Sequence, residues 1–430
     1  LNEQTRREQK LPSQLPSMEE IARPERKPTP GVRFVLKAVR FSGATHLATD
    51  DELQSVVADA IGKETDLKGL EELAARVTHF LHMKGYFLSR AYVPGQDVTE
   101  GTVEIILVDG HLDGRTGNGK PYVIAPDAKS PPRIDAERLN AIAEAALPKG
   151  ATADQPKLER ALLLMNDLPG ISAQSRLEPG EEKDSTRVII DVQEGPLVSG
   201  SATLDNQGNI NTGVQELNLV ANLNDPLKIG DQVSAYFSHT QGVDLQRASY
   251  TLPLGSHGLK LGGSYTHLDY RIIRGTGLVA GSRGKSGTRS LTLTYPFKRT
   301  RETNVYGSAS YTKKTLTDDT LAGNTDQKRV GEWAATLSGD NLDTWSGGGL
   351  TSWNLGVTQG NVDLSGNPAY AANDAAAAGP YTQGNFTKFS YGANRLQRLP
   401  DSFTLFVNFS GQAANKNLDS SEKFLLGGPN

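Results

Sequence analysis

The side chains able to do chemistry are few and badly grouped. His79 and His82 stand i, i+3 on a helical stretch, which puts two imidazoles on one face. A third metal ligand and the HExxH pattern are both missing. Gly275-Thr276-Gly277-Leu278-Val279-Ala280-Gly281 resembles a dinucleotide loop with one residue too many, and it does not join a strand to a helix. The adjacent carboxylates Asp318-Asp319 and Glu181-Glu182 fall in loop-like segments. Neighbouring side chains diverge there, whereas acid/base catalysis needs two groups converging on one bond. Ser308, in Gly307-Ser308-Ala309-Ser310, misses the GxSxG elbow and lies on an extended segment. None of the 430 residues is Cys, which excludes disulfide scaffolds, Cys-ligated zinc and thiol nucleophiles. No nucleophile has a base and no loop is shaped for phosphate. The residues point away from an enzyme, a metal and a cofactor.

What remains is the framework. The net charge of -4 offers no global attraction for nucleic acid. No apolar run approaches the ~18 residues of a membrane-spanning helix; Ile105-Ile106-Leu107-Val108 is among the longest. A chain of this length is expected to hold two or three domains. It starts at Leu1 without a signal-peptide pattern, so a processed or late start is expected.

The average composition conceals two materials. Residues 1–195 contain 31 Asp+Glu and 25 Lys+Arg, whereas residues 196–430 contain 18 and 20. Glycines divide 15 to 30 and aromatics 7 to 21 in the same order. The first part reads as water-soluble α/β material, and the second belongs in another environment. Ahead of both, residues 1–31 read as a short polar helix over Leu1–Leu11 and an extended linker carrying Pro12, Pro16, Pro24, Pro28 and Pro30.

Within the first part, Arg33–Phe41 alternates as a strand and Ser42-Gly43 ends it. Thr49 is placed as an N-cap, with acidic residues in the following turn. Leu53, Val56, Val57, Ala60 and Ile61 then keep a helical period. A second helix covers about Leu67–Lys84, closed by Gly85. Strands are expected at Tyr86–Val93 and Thr102–Val108. This β-α-α-β-β order repeats less clearly. A strand is expected near His111–Arg115 or Tyr122–Ile124, helices at Asp135–Ala146 and Gln155–Asp167, and strands at Ile171–Leu177 and Thr186–Val192.

From Leu197 onward no good helix exceeds ten residues. Eleven alternating segments take its place: 197–206, 213–224, 231–240, 244–253, 258–270, 287–297, 303–313, 328–340, 349–360, 385–396 and 402–411. Every second connection is short (Asp225–Gly230, Leu254–His257, Lys298–Glu302, Asn341–Gly348 and Gln397–Asp401). Long ones occupy Arg271–Ser286, Lys314–Gln327 and Asn361–Gly384. Strands of ~9–11 residues with loops alternating in length indicate a transmembrane β-barrel. Tyr250, Tyr295, Phe297 and Trp353 suit interfacial girdles. A soluble β-sandwich or β-rich adhesin has no reason to alternate its loops and usually carries more surface charge.

Several stretches then resemble one family. Lys84-Gly85-Tyr86, Ala91-Tyr92-Val93-Pro94-Gly95-Gln96-Asp97-Val98 and Glu100-Gly101-Thr102-Val103 resemble the first POTRA domain of two-partner secretion transporters. These are the haemolysin secretion/activation and filamentous-haemagglutinin transporter proteins. Arg160-Ala161-Leu162-Leu163-Leu164-Met165-Asn166-Asp167-Leu168-Pro169-Gly170 and Leu177-Glu178-Pro179-Gly180 are similar to the second. Asp205-Asn206-Gln207-Gly208 with Gly213, and Tyr250-Thr251-Leu252-Pro253-Leu254-Gly255, resemble the start of the barrel. The resemblance implies a plug helix and linker (1–31), POTRA domains at 32–110 and 111–195, and a barrel at 196–430 with sixteen strands in the family. Phe424-Leu425-Leu426-Gly427-Gly428-Pro429-Asn430 resembles the lead-in to the family's VRGY-type lumen motif. The chain stops there, so it is expected to be part of a longer protein with five further strands.

The implied activity is ATP-independent export of a large β-helical haemolysin or adhesin across the outer membrane, with the POTRA domains in the periplasm. The implied partners are this exoprotein and outer-membrane lipids, with no nucleic acid and no cofactor. A barrel-assembly factor or a surface β-rich adhesin is the alternative. An exposed strand edge can bind an unfolded chain by β-augmentation. The expected edges are Ile171, Ser172, Ala173, Gln174, Ser175, Arg176 and Leu177 in the second domain, and the strand with Tyr86, Leu88, Arg90 and Tyr92 in the first.

Overall fold

The computed structural model describes residues 33–116, 119–126, 132–182, 185–321, 323–399 and 403–424. The expected plug helix, its linker and residues 425–430 lie outside the described residues. Two compact units emerge. One comprises residues up to 132 with 136–166 and 172–193; the other comprises 133–135, 167–171 and 194 onward.

The first unit opens with β1 (Phe34–Val35), β2 (Ala38–Gly43), α1 (Asp50–Val57), β3 (Glu64–Thr65), α2 (Leu67–Met83), β4 (Arg90–Tyr92) and β5 (Thr102–Val108). Thr49 caps α1 in a reciprocal box with Glu52, which satisfies two otherwise orphaned N–H groups. Asp66 caps α2 by accepting the Gly69 N–H at 2.9 Å. The helices bury Leu53, Val57, Leu70, Leu73, Val77 and Leu81 against Val39, Ala91, Val103, Ile105 and Leu107. In the sheet, β2 runs parallel to β5 and β4 antiparallel to it, in the order β2-β5-β4.

The expected strand at Tyr86–Val93 is reduced to Arg90–Tyr92. Gly85 takes a positive φ of 98°, and the Ser89 N–H bonds to the Tyr86 carbonyl at 3.0 Å. The residues after α2 are therefore spent on a turn before the chain can join β5.

The second domain follows as β6 (His111–Leu112), β7 (Tyr122–Pro126), α3 (Ala136–Ala146), α4 (Gln155–Asn166), β8 (Ile171–Pro179) and β9 (Ser185–Glu194). Both candidate first strands exist, and β6 and β7 each pair parallel with β9. β8 pairs with β9 and with no other strand among the described residues.

The second unit is one antiparallel sheet of eleven strands. These are β10 (Val198–Asp205), β11 (Glu216–Asn224), β12 (Gln232–His239), β13 (Val243–Leu254), β14 (Leu259–Arg271), β15 (Arg283–Arg299), β16 (Thr303–Thr320), β17 (Gly323–Asp343), β18 (Gly349–Asp363), β19 (Gly384–Arg398) and β20 (Thr404–Ala414). Each strand pairs with its sequence neighbours, and β10 and β20 are the two ends of the order. All eleven expected segments are strands. Lys314–Gln327, expected as a long loop, is instead nearly all ladder, because β16 continues to Thr320 and β17 begins at Gly323. Backbone pairing is indifferent to side-chain polarity, so a polar extension leaves the sheet intact while ending the apolar band. The remaining long connections carry short helices, α5 (Gly275–Val279) and α6 (Pro368–Asp374).

Candidate functional site

The chemically suggestive residues do not assemble. His79 is exposed, while His82 meets the Ser89 carbonyl at 2.9 Å. Asp318 accepts the Tyr270 hydroxyl at 2.6 Å on β16, a ladder strand where a loop was expected. Glu182 accepts the Arg115 and Thr116 N–H groups at 3.0 and 2.9 Å. These bonds, with the Thr116 hydroxyl foremost, hold its carboxyl below the usual range. Reciprocally, the buried Asp113 accepts the N–H groups of Glu181 and Glu182 and the Ser185 hydroxyl, the last at 2.6 Å. Burial opposes the charge on Asp113, but these donors outweigh it and keep the carboxyl acidic. The acidic pair therefore builds the end of the β8–β9 hairpin. Among the described residues, no group of three or more His, Cys, Asp or Glu is placed to hold a metal.

Sheet edges are where the first unit has backbone to offer, and most of them are plugged by side chains. Thr78 on α2 accepts the Ala91 N–H at 2.9 Å, on the edge strand β4. Gln96 accepts the Glu104 N–H at 2.7 Å and donates to its carbonyl at 2.8 Å, so its amide imitates a strand beside β5 where β4 ends. Gln54 donates to the Val39 carbonyl of β2 at 3.0 Å. Asn166, at the end of α4, accepts the Ala173 N–H at 3.0 Å and donates to the Ala173 carbonyl at 2.8 Å. Such plugs suppress indiscriminate strand pairing.

The expected edge residues Ile171–Leu177 do form the outer strand β8, with Ile171, Ala173 and Ser175 buried and Ser172, Gln174 and Arg176 exposed. Arg90 and Tyr92 lie on the edge strand β4. Tyr86 and Leu88 precede that strand and belong to the turn, and Tyr86 packs against the core of the first domain. The plugging residues were not foreseen, although Gln96 and Asn166 sit inside the two most family-like stretches.

The large sheet has two unlike faces. One register row runs Leu223, Val233, Tyr250, Gly263, Leu291, Tyr311, Trp333 across seven strands. A second runs Leu293, Ala309, Ala335, Val357, Phe389, Ala413. Trp333 and Phe409 on this face are exposed, and Tyr311 stacks obliquely on Trp333 at 4.8 Å. Alternation puts Ser290, Thr312, Glu332 and Gly360 on the opposite face. There Glu422, beyond β20, is fully buried between Lys314 at 2.8 Å and Lys388 at 2.6 Å. Glu332 faces the same Lys314 at 3.0 Å, and Asp419 pairs with the buried Lys328 at 3.1 Å. Leu418 joins Val330, Val362, Leu364 and Phe386 in a small core beside these pairs. Lys314, Lys328, Glu332 and Lys388 all fall at even positions of their strands, and this shared parity is the sequence trace of the polar face.

A sheet that is apolar and aromatic on one face, and polar with buried ion pairs on the other, has the two-sided pattern of a transmembrane β-barrel wall. Together with the small α+β domains, this defines an outer-membrane β-barrel transporter with periplasmic POTRA domains. Residues 184–430 match the model of the haemolysin secretion/activation protein family ShlB/FhaC/HecB, and residues 34–110 match the ShlB-type POTRA domain. The chain belongs to this family, whose members are transporters of two-partner secretion and not enzymes.

It is similar to the heme/hemopexin transporter protein HuxB of Haemophilus influenzae, with 29% identity over 415 residues, covering 93% of this chain and 68% of HuxB. It is also similar to the outer membrane transporter CdiB of Dickeya dadantii, with 24% identity, covering 99% of this chain and 73% of CdiB. Two solved structures share the fold. CdiB from Escherichia coli has a TM-score of 0.69 at 20% identity, covering 95% of this chain and 73% of that one. CdiB from Acinetobacter baumannii has a TM-score of 0.61 at 17% identity, covering 99% and 78%.

Proposed function

We propose that this chain forms the receiving and pore-lining part of a transporter that captures an unfolded β-helical exoprotein of the haemolysin or adhesin type and passes it through the outer membrane. In this reading residues 32–110 and 111–195 are the periplasmic receivers and 196–430 line the pore in contact with outer-membrane lipid; nucleic acid plays no part. The edge strand β8 carries the reading, because it offers main-chain hydrogen bonds to an extended chain before that chain has folded. Export needs no nucleotide if folding outside the pore prevents return. The similarity to HuxB favours, as a second reading, a haem- or hemopexin-binding exoprotein as cargo.

The test is co-expression of the full-length protein with the exoprotein encoded beside it in a host lacking both. Exoprotein in the medium, lost when residues 111–195 are deleted at unchanged barrel abundance, is the expected result. Equal secretion without this domain, or retention of the exoprotein in every case, overturns the proposal.

A further inference from the structure

The outward side of β8 is not uniformly available. The Gly170 carbonyl accepts the Gly195 N–H at 2.8 Å, and the Gly180 N–H donates to the Ser185 carbonyl at 3.0 Å. Even-numbered residues therefore turn their backbone groups toward β9, and odd-numbered residues turn theirs outward. Of the odd residues, Ile171 has its N–H on the Leu168 carbonyl at 3.2 Å. Ala173 has both groups on Asn166. Pro179 has no N–H to give. Only Ser175 and Leu177 turn outward both an N–H and a carbonyl that meet no partner among the described residues. In the first domain, the equivalent edge strand spans three residues, and its outward Ala91 N–H is already taken by Thr78.

We infer that the partner strand is received on a two-residue window at Ser175 and Leu177, and that Asn166 and Pro179 bound this window and set the register of pairing. The inference rests on the export reading above and adds to it where pairing begins. It requires an extended peptide whose backbone supplies up to four hydrogen bonds in alternation. The partner lies against the exposed side chains of Gln174 and Arg176, the latter already paired with Glu178 and Asp191, so its facing residue is polar. The β4 edge takes no part. Asn166 is then a positioning residue: it excludes the partner from Ala173.

None of the 430 residues is Cys, so a cysteine introduced here is the only one in this part of the protein. The full-length transporter, carrying Ser172→Cys, Arg176→Cys or Tyr92→Cys, is tested with the N-terminal region of its exoprotein bearing one cysteine at successive positions. Cross-linking is expected at Arg176→Cys and not at Ser172→Cys or Tyr92→Cys. Adding Asn166→Ala is expected to bring Ser172→Cys into cross-linking and to shift the register by two residues. A merely structural Asn166 lowers stability and leaves the register unmoved. Leu177→Pro, which removes one outward N–H, is expected to cut secretion by several-fold to about tenfold at unchanged barrel abundance. Cross-linking at Ser172→Cys equal to or stronger than at Arg176→Cys while Asn166 is intact, cross-linking confined to Tyr92→Cys, or none anywhere while secretion proceeds overturns the inference and leaves the export function standing. Absence of secretion from the unmodified protein overturns the function itself.

Discussion

At the scale of single residues, carboxylates of the first unit whose acidity is strengthened serve structure. Glu52 is one case. Its carboxyl is lowered to about 2, chiefly by the Lys84 ammonium at 2.8 Å and then by the Thr49 N–H. A folded-state value below the ordinary 4.5 means that the folded chain binds fewer protons than the unfolded one. The resulting stabilisation is complete above about pH 4.5 and is lost as pH falls toward 2. Glu52→Gln should therefore lower the thermal midpoint of the periplasmic region at pH 7. The difference from the parent should close by about pH 2, and a constant difference across that range would contradict the assignment. Asp113 is a stronger case, because the residue is fully buried. Asp113→Ala strands the N–H groups of Glu181 and Glu182 and the Ser185 hydroxyl. Each orphaned buried group costs about 1–3 kcal/mol, which urea unfolding will detect. These roles were hidden in sequence because Asp113 and Glu182 find their partners some seventy positions away.

At the scale of elements, periodicity carried most of the information. The helix with Leu70, Leu73, Ala74, Val77 and Leu81 on one face buries those side chains, and all eleven strands of the large sheet were legible from alternation. Two elements were misjudged for different physical reasons. Tyr86–Val93 alternates well enough for a strand, but the turn after Gly85 consumes its first half. Lys314–Gln327 is too polar for an apolar band, yet its backbone continues the ladder of β16 and β17. Edge plugs belong to this scale too. Thr78→Val keeps the volume and removes the acceptor of the Ala91 N–H. It should destabilise the first domain by about 1–3 kcal/mol and open β4 to pairing, read as faster amide exchange at Ala91. Unchanged exchange there would remove Thr78 from the set of plugs.

At the scale of the whole molecule, the polar face of the large sheet is held by charges that come from four places in the chain. Glu422→Ala leaves Lys314 and Lys388 to share Glu332 alone in a buried setting. Breaking such a pair from one side costs about 3–5 kcal/mol. The full-length variant should lose its heat-resistant electrophoretic form at a lower temperature, and an unchanged transition would show that the pair contributes nothing. The sequence by itself determined the division into a charged part and a charge-poor part, the order of elements and the alternating faces of several strands of the large sheet. Those properties are local: composition, a period of two or of 3.6, and turn residues act over a few positions. Only the tertiary structure decided which edges stay open and which carboxylate meets which lysine. It closed Ala91 and Ala173 with side chains from other elements and left Ser175 and Leu177 facing outward. Those pairings join residues distant in the chain, and no local period encodes them.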